Sequence, residues 1–150
     1  MFDNLSDLYQ QVILDHSKSP RNFGELPGAD HRAEGRNPLC GDQVSVSVKM
    51  NGDVIEDIRF QGSGCAIAKA SASVMTTALK GKTLAEAKTL FEKFHELVMH
   101  GQAAPCAELG KLTVFGGVHN YPARVKCAIL AWHAALAAMA GGENKPVTTE

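Results

Sequence analysis

Leu5, Leu8, Tyr9, Val12 and Ile13 recur at helical spacing. They share one face of a 3.6-residue period and predict a helix from about Asn4 to Ser17. Ser19-Pro20-Arg21-Asn22 ends it. Residues 20–39 are rich in Gly, Pro and charge and show no period. They predict a long ordered loop, and long loops within compact domains are usually functional. Val44, Val46 and Val48 then alternate with Gln43, Ser45, Ser47 and Lys49, the period of a half-buried strand. Asn51-Gly52 supplies a hairpin turn, because both residues tolerate positive φ. Val54 to Phe60 is the expected partner strand, with Ile58 and Phe60 on one face and Glu56 breaking the alternation on that same face.

The rest of the chain reads as helices. Gly62-Ser63-Gly64-Cys65 suggests a tight backbone path into a helix with Ile67, Ala70, Val74 and Ala78 on one side, closed by Gly81. Thr83-Leu84-Ala85-Glu86 has the form of a capping box. Behind it runs an apolar stripe of Ala87, Leu90, Phe91, Phe94, Leu97 and Val98, with Gly101 as the stop. Pro105 to Gly117 fits a short helix and a turn. Pro122 suits the first position of a last helix, whose buried face is Val125, Ala128, Ile129, Trp132, Leu136 and Met139. Gly141-Gly142 closes it. Residues 1–140 therefore read as one domain and 141–150 as a flexible tail. Strands and helices are segregated along the chain, which predicts an α+β fold: a small antiparallel sheet (the β-hairpin plus a further strand) with helices packed on one face.

Composition narrows the function. At 150 residues and 45% hydrophobic content, the chain can bury a core without a metal or disulfides to staple it, so a metal site would serve function first. A net charge of −1 gives no electrostatic case for nucleic acid. The longest apolar stretch, around Cys127 to Ala140, is interrupted by His133 and is too short to span a bilayer. Asp3 and Asp7 lie where a leader would be basic, so no secretory leader and a cytoplasmic location are expected. Four cysteines in such a chain read as buried thiols, metal ligands or reactive sulfur rather than a disulfide framework.

Four features can carry chemistry: Cys40-Gly41-Asp42, Gly62-Ser63-Gly64-Cys65, Cys106, and Arg124-Val125-Lys126-Cys127. In extended chain Cys40 and Asp42 project to the same side and face one ion, with Gly41 free to adopt an unusual conformation. Cys65 falls at a helix start, where the dipole and free N–H groups favour a thiolate. Cys127 falls near the first turn of the last helix, where Arg124 and Lys126 add positive charge. Three sulfurs and one oxygen would complete a tetrahedral zinc site. Spacing alone leaves a second reading open. There is no Cys-x-x-Cys knuckle, and free cysteine is often simply buried. Asp42 reads alternatively as a turn cap, and Arg124 as a surface ion-pair partner or a contact that orients Asp42. His133 lies six residues past Cys127 and points elsewhere; His119 precedes Tyr121-Pro122, close enough in sequence to approach the site.

At these residues the chain resembles the U-type iron–sulfur scaffold family (IscU/NifU-like) over nearly its whole length. Leu8-Tyr9 through Asp15-His16 with Pro20-Arg21-Asn22 resembles the family's amino-terminal helix. Asn37-Pro38-Leu39-Cys40-Gly41-Asp42, Gly62-Ser63-Gly64-Cys65-Ala66-Ile67 with Ala70-Ser71-Ala72-Ser73, and Pro122-Ala123-Arg124-Val125-Lys126-Cys127-Ala128 resemble its three ligand motifs. The scaffold proper, the IscU branch, carries His directly before its last cysteine and a Leu-Pro-Pro-Val-Lys chaperone-recognition segment. Here Lys126 and Tyr121-Pro122-Ala123-Arg124 stand in their place, and the stretch between Cys65 and Cys127 is longer. These departures resemble the SufU branch.

The resemblance implies iron–sulfur cluster biogenesis. Cys40, Asp42, Cys65 and Cys127 would bind zinc, and Cys40 would accept sulfur from a SufS-like cysteine desulfurase, a pyridoxal-phosphate enzyme, for downstream assembly proteins. A histidine of the desulfurase would displace Cys40 from zinc and free it to attack. Such a chain would act as a zinc-dependent sulfurtransferase with its desulfurase; whether it is an enzyme in its own right stays open. Arg124 and Lys126 would support the site, and Cys106 matches no motif. Two alternatives use the same residues: a true scaffold that assembles a transient [2Fe–2S] cluster, and a structural zinc domain that serves as a docking module. No nucleic-acid or membrane partner is expected.

Overall fold

A computed structural model describes residues 5–38, 41–101, 107–141 and 147–148. The elements, in order, are α1 (Leu5–Lys18), β1 (His31–Asn37), β2 (Asp42–Asn51), β3 (Val54–Ser63), α2 (Ala66–Leu79), α3 (Leu84–His100), a 3₁₀ segment (Ala107–Asn120) that breaks at Gly110, α4 (Pro122–Met139) and β4 (Val147–Thr148). The sheet order is β3-β2-β1-β4. The first three strands are antiparallel, and β4 pairs in parallel with Gly35 and Arg36 of β1. α2 and α4 pack on the sheet, α1 packs on α2, and α3 packs against α4 and the 3₁₀ segment. The α+β architecture is the one expected.

The further strand comes from inside the expected loop of residues 20–39. Ala33, Gly35 and Asn37 of β1 face inward while Arg32, Glu34 and Arg36 face out. The alternation has period two, but its inward residues are small or polar, so no hydrophobic pattern announces it. Small residues are what the position requires. A Cβ on Gly35 would stand 3.0 Å from Leu130 Cδ1 of α4, so glycine lets that helix lie directly across β1. The loop that remains, residues 19–30, is ordered by Asn22 and Gly24, which exchange backbone hydrogen bonds with Phe60. Phe23 meets the Phe60 ring edge-on at 5.2 Å.

Val44, Val46 and Val48 pair with the inward positions of β1 and β3 and are buried. The broken alternation around Glu56 has a structural cause. Lys49 pairs with Asp57 but Met50 pairs with Ile55, so Glu56 is the unpaired residue of a β-bulge. Bulging turns Glu56 out to solvent and buries Ile55 as well as Ile58.

The capping box forms as expected, with Thr83 Oγ1 accepting from the Glu86 N–H and Glu86 Oε1 accepting from the Thr83 N–H. Pro122 opens α4, and Gly101 ends α3 in the left-handed region at φ +84°. Trp132, fully buried on α4, stacks on Phe94 of α3 at 5.0 Å. Of the tail expected to be flexible, Val147 and Thr148 are described and form β4; residues 142–146 and 149–150 lie outside the described residues.

α1 is joined to α2 by a polar contact. His16 is buried, and its Nδ1 lies 2.7 Å from Ser73 Oγ, which also accepts from the Arg21 N–H. His16 Nε2 is buried and meets no hydrogen-bond partner among the described residues. Burial holds this imidazole below its usual pKa, the positive charges of Arg21 and Lys111 push the same way, and Asp15 opposes them. His133 is depressed by burial and then by His95. Both groups favour the neutral form on folding. Their contribution is complete above the unfolded value of 6.5 and is lost as pH falls below it toward the lower folded values. For metal-free protein, the urea midpoint is expected to be flat above about pH 7 and to fall from about pH 6.5 downward. Replacing both histidines with asparagine should flatten that slope. An unchanged slope in the double variant contradicts this origin.

Candidate metal centre

Three of the four expected ligand positions are described, and they converge. One oxygen of Asp42 and the Sγ atoms of Cys65 and Cys127 lie within 4.8 Å of one another. They come from three elements: the first residue of β2, the residue that caps α2, and the second turn of α4. Cys40, with Leu39, lies outside the described residues, as does Cys106.

Asp42 is 1% exposed, and its two oxygens are used differently. Oδ1 accepts the Cys65 backbone N–H at 2.9 Å, while Oδ2 faces the Cys65 thiol at 4.0 Å. The first bond pins the start of β2 to the start of α2 and leaves the second oxygen turned toward the sulfurs. Two glycines make room for it. A Cβ on Gly64 would stand 2.5 Å from Asp42 Oδ1, and a Cβ on Gly62, at φ +147°, would collide with the Gln43 carbonyl at 2.1 Å.

Cys65 is the N-cap of α2, and its Sγ accepts the Ala68 N–H at 3.4 Å. The serine or aspartate usual at this position is replaced by sulfur, so the positive end of the helix bears on the sulfur. Cys127 is 2% exposed. Its Sγ donates to the Ala123 carbonyl at 3.4 Å and accepts from Asn37 Nδ2 at 3.8 Å. Asn37 lies in the motif quoted above, but residue type alone gave it no role; its burial at a strand end and its sulfur contact appear only in three dimensions.

Gly41 has φ +73°, and its N–H donates to the Asn37 carbonyl at 2.8 Å. The backbone at Gly41 is therefore left-handed rather than extended. Arg124 is exposed and Lys126 half-buried at the start of α4; no ion pair among the described residues includes either one or Asp42. His119 bonds the Gly116 carbonyl and packs under Gly101, and His133 packs on Phe91. Neither joins the cluster.

The donor set fits a cation. Asp42 has no ion-pair partner among the described residues, so a cation would compensate a carboxylate buried there, and two sulfurs plus an oxygen within 4.8 Å need shift only by about an ångström to meet tetrahedral distances. Gly64→Ala tests the arrangement. The added methyl displaces Oδ1 from the Cys65 N–H, and metal affinity should fall by roughly 10–100-fold with the far-UV circular dichroism retained. Competition with a chromophoric chelator measures it, and wild-type affinity in the variant would show that Asp42 is not held this way.

Residues 8–141 match the NifU-like N terminal domain. The chain is 42% identical to the zinc-dependent sulfurtransferase SufU of Bacillus subtilis (strain 168), over 87% of this chain and 88% of that protein. It is 43% identical to the iron–sulfur cluster assembly scaffold protein IscU of Streptococcus pyogenes serotype M1, over 97% and 91%. A crystal structure assigned as an iron–sulfur cluster assembly scaffold protein for the SUF system, from Fervidobacterium islandicum AW-1, superposes with a TM-score of 0.81 at 35% identity, covering 91% of this chain and 99% of that one. Matched along almost its full length in sequence and in fold, the chain belongs to the NifU-like N-terminal domain family of iron–sulfur cluster assembly proteins of SufU and IscU type.

Proposed function

We propose that the chain is a zinc-bound sulfur acceptor of the cytoplasm, which takes persulfide sulfur from a cysteine desulfurase and passes it to cluster assembly. The observation that carries this reading is the convergence of Asp42, Cys65 and Cys127 from three separate elements. With Cys40, two residues before Asp42, they form a set of three thiolates and one carboxylate, which suits zinc. Bound zinc would keep the thiolates deprotonated at neutral pH while holding their reactivity down. The similarity to a protein named as a zinc-dependent sulfurtransferase supports the same choice.

The chain's own residues divide the work. Cys65 and Cys127 suit a permanent role, since each sulfur accepts an N–H from its surroundings. Cys40 is the acceptor. Its thiolate attacks the outer sulfur of the desulfurase's cysteine persulfide, the S–S bond there breaks, and the desulfurase cysteine leaves as a thiolate. Cys40 then carries the sulfane sulfur as its own persulfide, and no external electron is needed. The exposed Arg124 and half-buried Lys126 place positive charge beside the site, which favours approach of an anionic persulfide.

The scaffold reading, a [2Fe–2S] cluster built on the same residues, draws on the similarity to the Streptococcus pyogenes protein named IscU. Lys126 before Cys127, where the IscU branch has His, weighs against it. Metal analysis followed by sulfide release from a partner desulfurase separates the two. The carrier reading expects about one zinc per chain and stimulation of sulfide release that disappears in Cys40→Ala. Iron in place of zinc, no stimulation, and a stable cluster after anaerobic reconstitution would overturn it.

A further inference from the structure

We propose that Asn37 is a positioning residue that locks Cys127 as a fixed ligand of the centre. Asn37 ends β1 and is 0% exposed. It occupies an inward row whose other members are Ala33 and Gly35, and a buried amide in such a row needs hydrogen-bond partners. Its Nδ2 donates to Cys127 Sγ at 3.8 Å. Its carbonyl accepts the Gly41 N–H at 2.8 Å. It pairs across the ladder with Asp42. One residue thus touches the sulfur of Cys127 and pairs with Asp42, two of the expected ligands.

An N–H donor on a thiolate draws charge from the sulfur, which lowers its nucleophilicity, and fixes the direction in which it points. Cys65 receives such a donor from the Ala68 backbone. Cys127 lies in the second turn of α4, where the backbone N–H groups are engaged within the helix, so its donor comes from a side chain on another element. On this basis Asn37 directs transfer to Cys40 by holding Cys127 out of it. The inference rests on the zinc-site half of the function proposed above.

The test is the alkylation of zinc-loaded full chain by iodoacetamide, each cysteine followed by peptide mass spectrometry. In Asn37→Ala, Cys127 should be alkylated roughly 10–100-fold faster than in wild type while Cys65 keeps its rate, and Asn37→Gln, which keeps the donor, should recover part of the protection. Unchanged protection of Cys127 in Asn37→Ala overturns the proposal. So does equal opening of Cys65 and Cys127, which would mean that Asn37 merely supports the fold. Wild-type protein gives a second readout that needs no folded variant. Slow exchange of the Asn37 side-chain amide hydrogens on zinc loading supports the sulfur contact, and exchange as fast as that of exposed asparagines refutes it. A wild-type chain that binds no zinc would defeat the function proposed above along with this inference; zinc binding without selective protection would defeat this inference alone.

Discussion

The hydrogen bond from the Cys65 backbone N–H to Asp42 Oδ1, 2.9 Å long, is the constraint on which the site depends. It joins the first residue of β2 to the cap of α2, two points 23 residues apart, and satisfies one oxygen of a nearly buried carboxylate. Any carboxylate at this depth costs free energy unless each oxygen is met. With Oδ1 fixed by the backbone, Oδ2 is left facing the sulfurs. The two glycines before Cys65 follow from this bond, because side chains there would collide with Asp42 or with the Gln43 carbonyl. The conformational cost of glycine in and beside a strand is accepted in exchange for a close approach that no other residue permits.

Cys127 reaches the same point by a different route, through the packing of α4 on the sheet. Gly35 of β1 removes the side chain that would hold Leu130 away. Leu130 lies about one turn beyond Cys127, so seating it on β1 brings Cys127 beside Asn37 at the strand's end. Ser71 of α2 donates to the Ala128 carbonyl at 2.5 Å and ties the two ligand-bearing helices directly. On its far side α4 is clamped by Trp132 stacked on Phe94. The candidate metal centre is therefore placed by the packing of the core.

What could be read from the sequence divides along physical lines. α3 with its capping box, the β2–β3 hairpin and α4 were legible because hydrophobic period, turn chemistry and caps agreed. β1 was not. Its inward residues, Ala33, Gly35 and Asn37, are dictated by the helix above and by the site rather than by hydrophobic burial. Glu56 was legible as an anomaly but not as a bulge, since pairing register is a property of two strands. The three described ligand positions stood out by residue type and by family likeness. Their convergence, and the supporting parts played by Asn37 and Gly64, depend on contacts between segments distant in sequence. Periodicity carries no information about those.

The ligand-bearing segments also differ in how they are held. Asp42, Cys65 and Cys127 sit on a strand, a helix cap and a helix interior, each fixed by hydrogen bonds and by packing on the core. Cys40 belongs to the short connection between β1 and β2, bridged by the Gly41–Asn37 bond and a left-handed glycine. Displacing any of the three described donors would uncap α2, unseat α4 from the sheet or free the start of β2, so the contacts that hold these donors are the contacts that hold the fold.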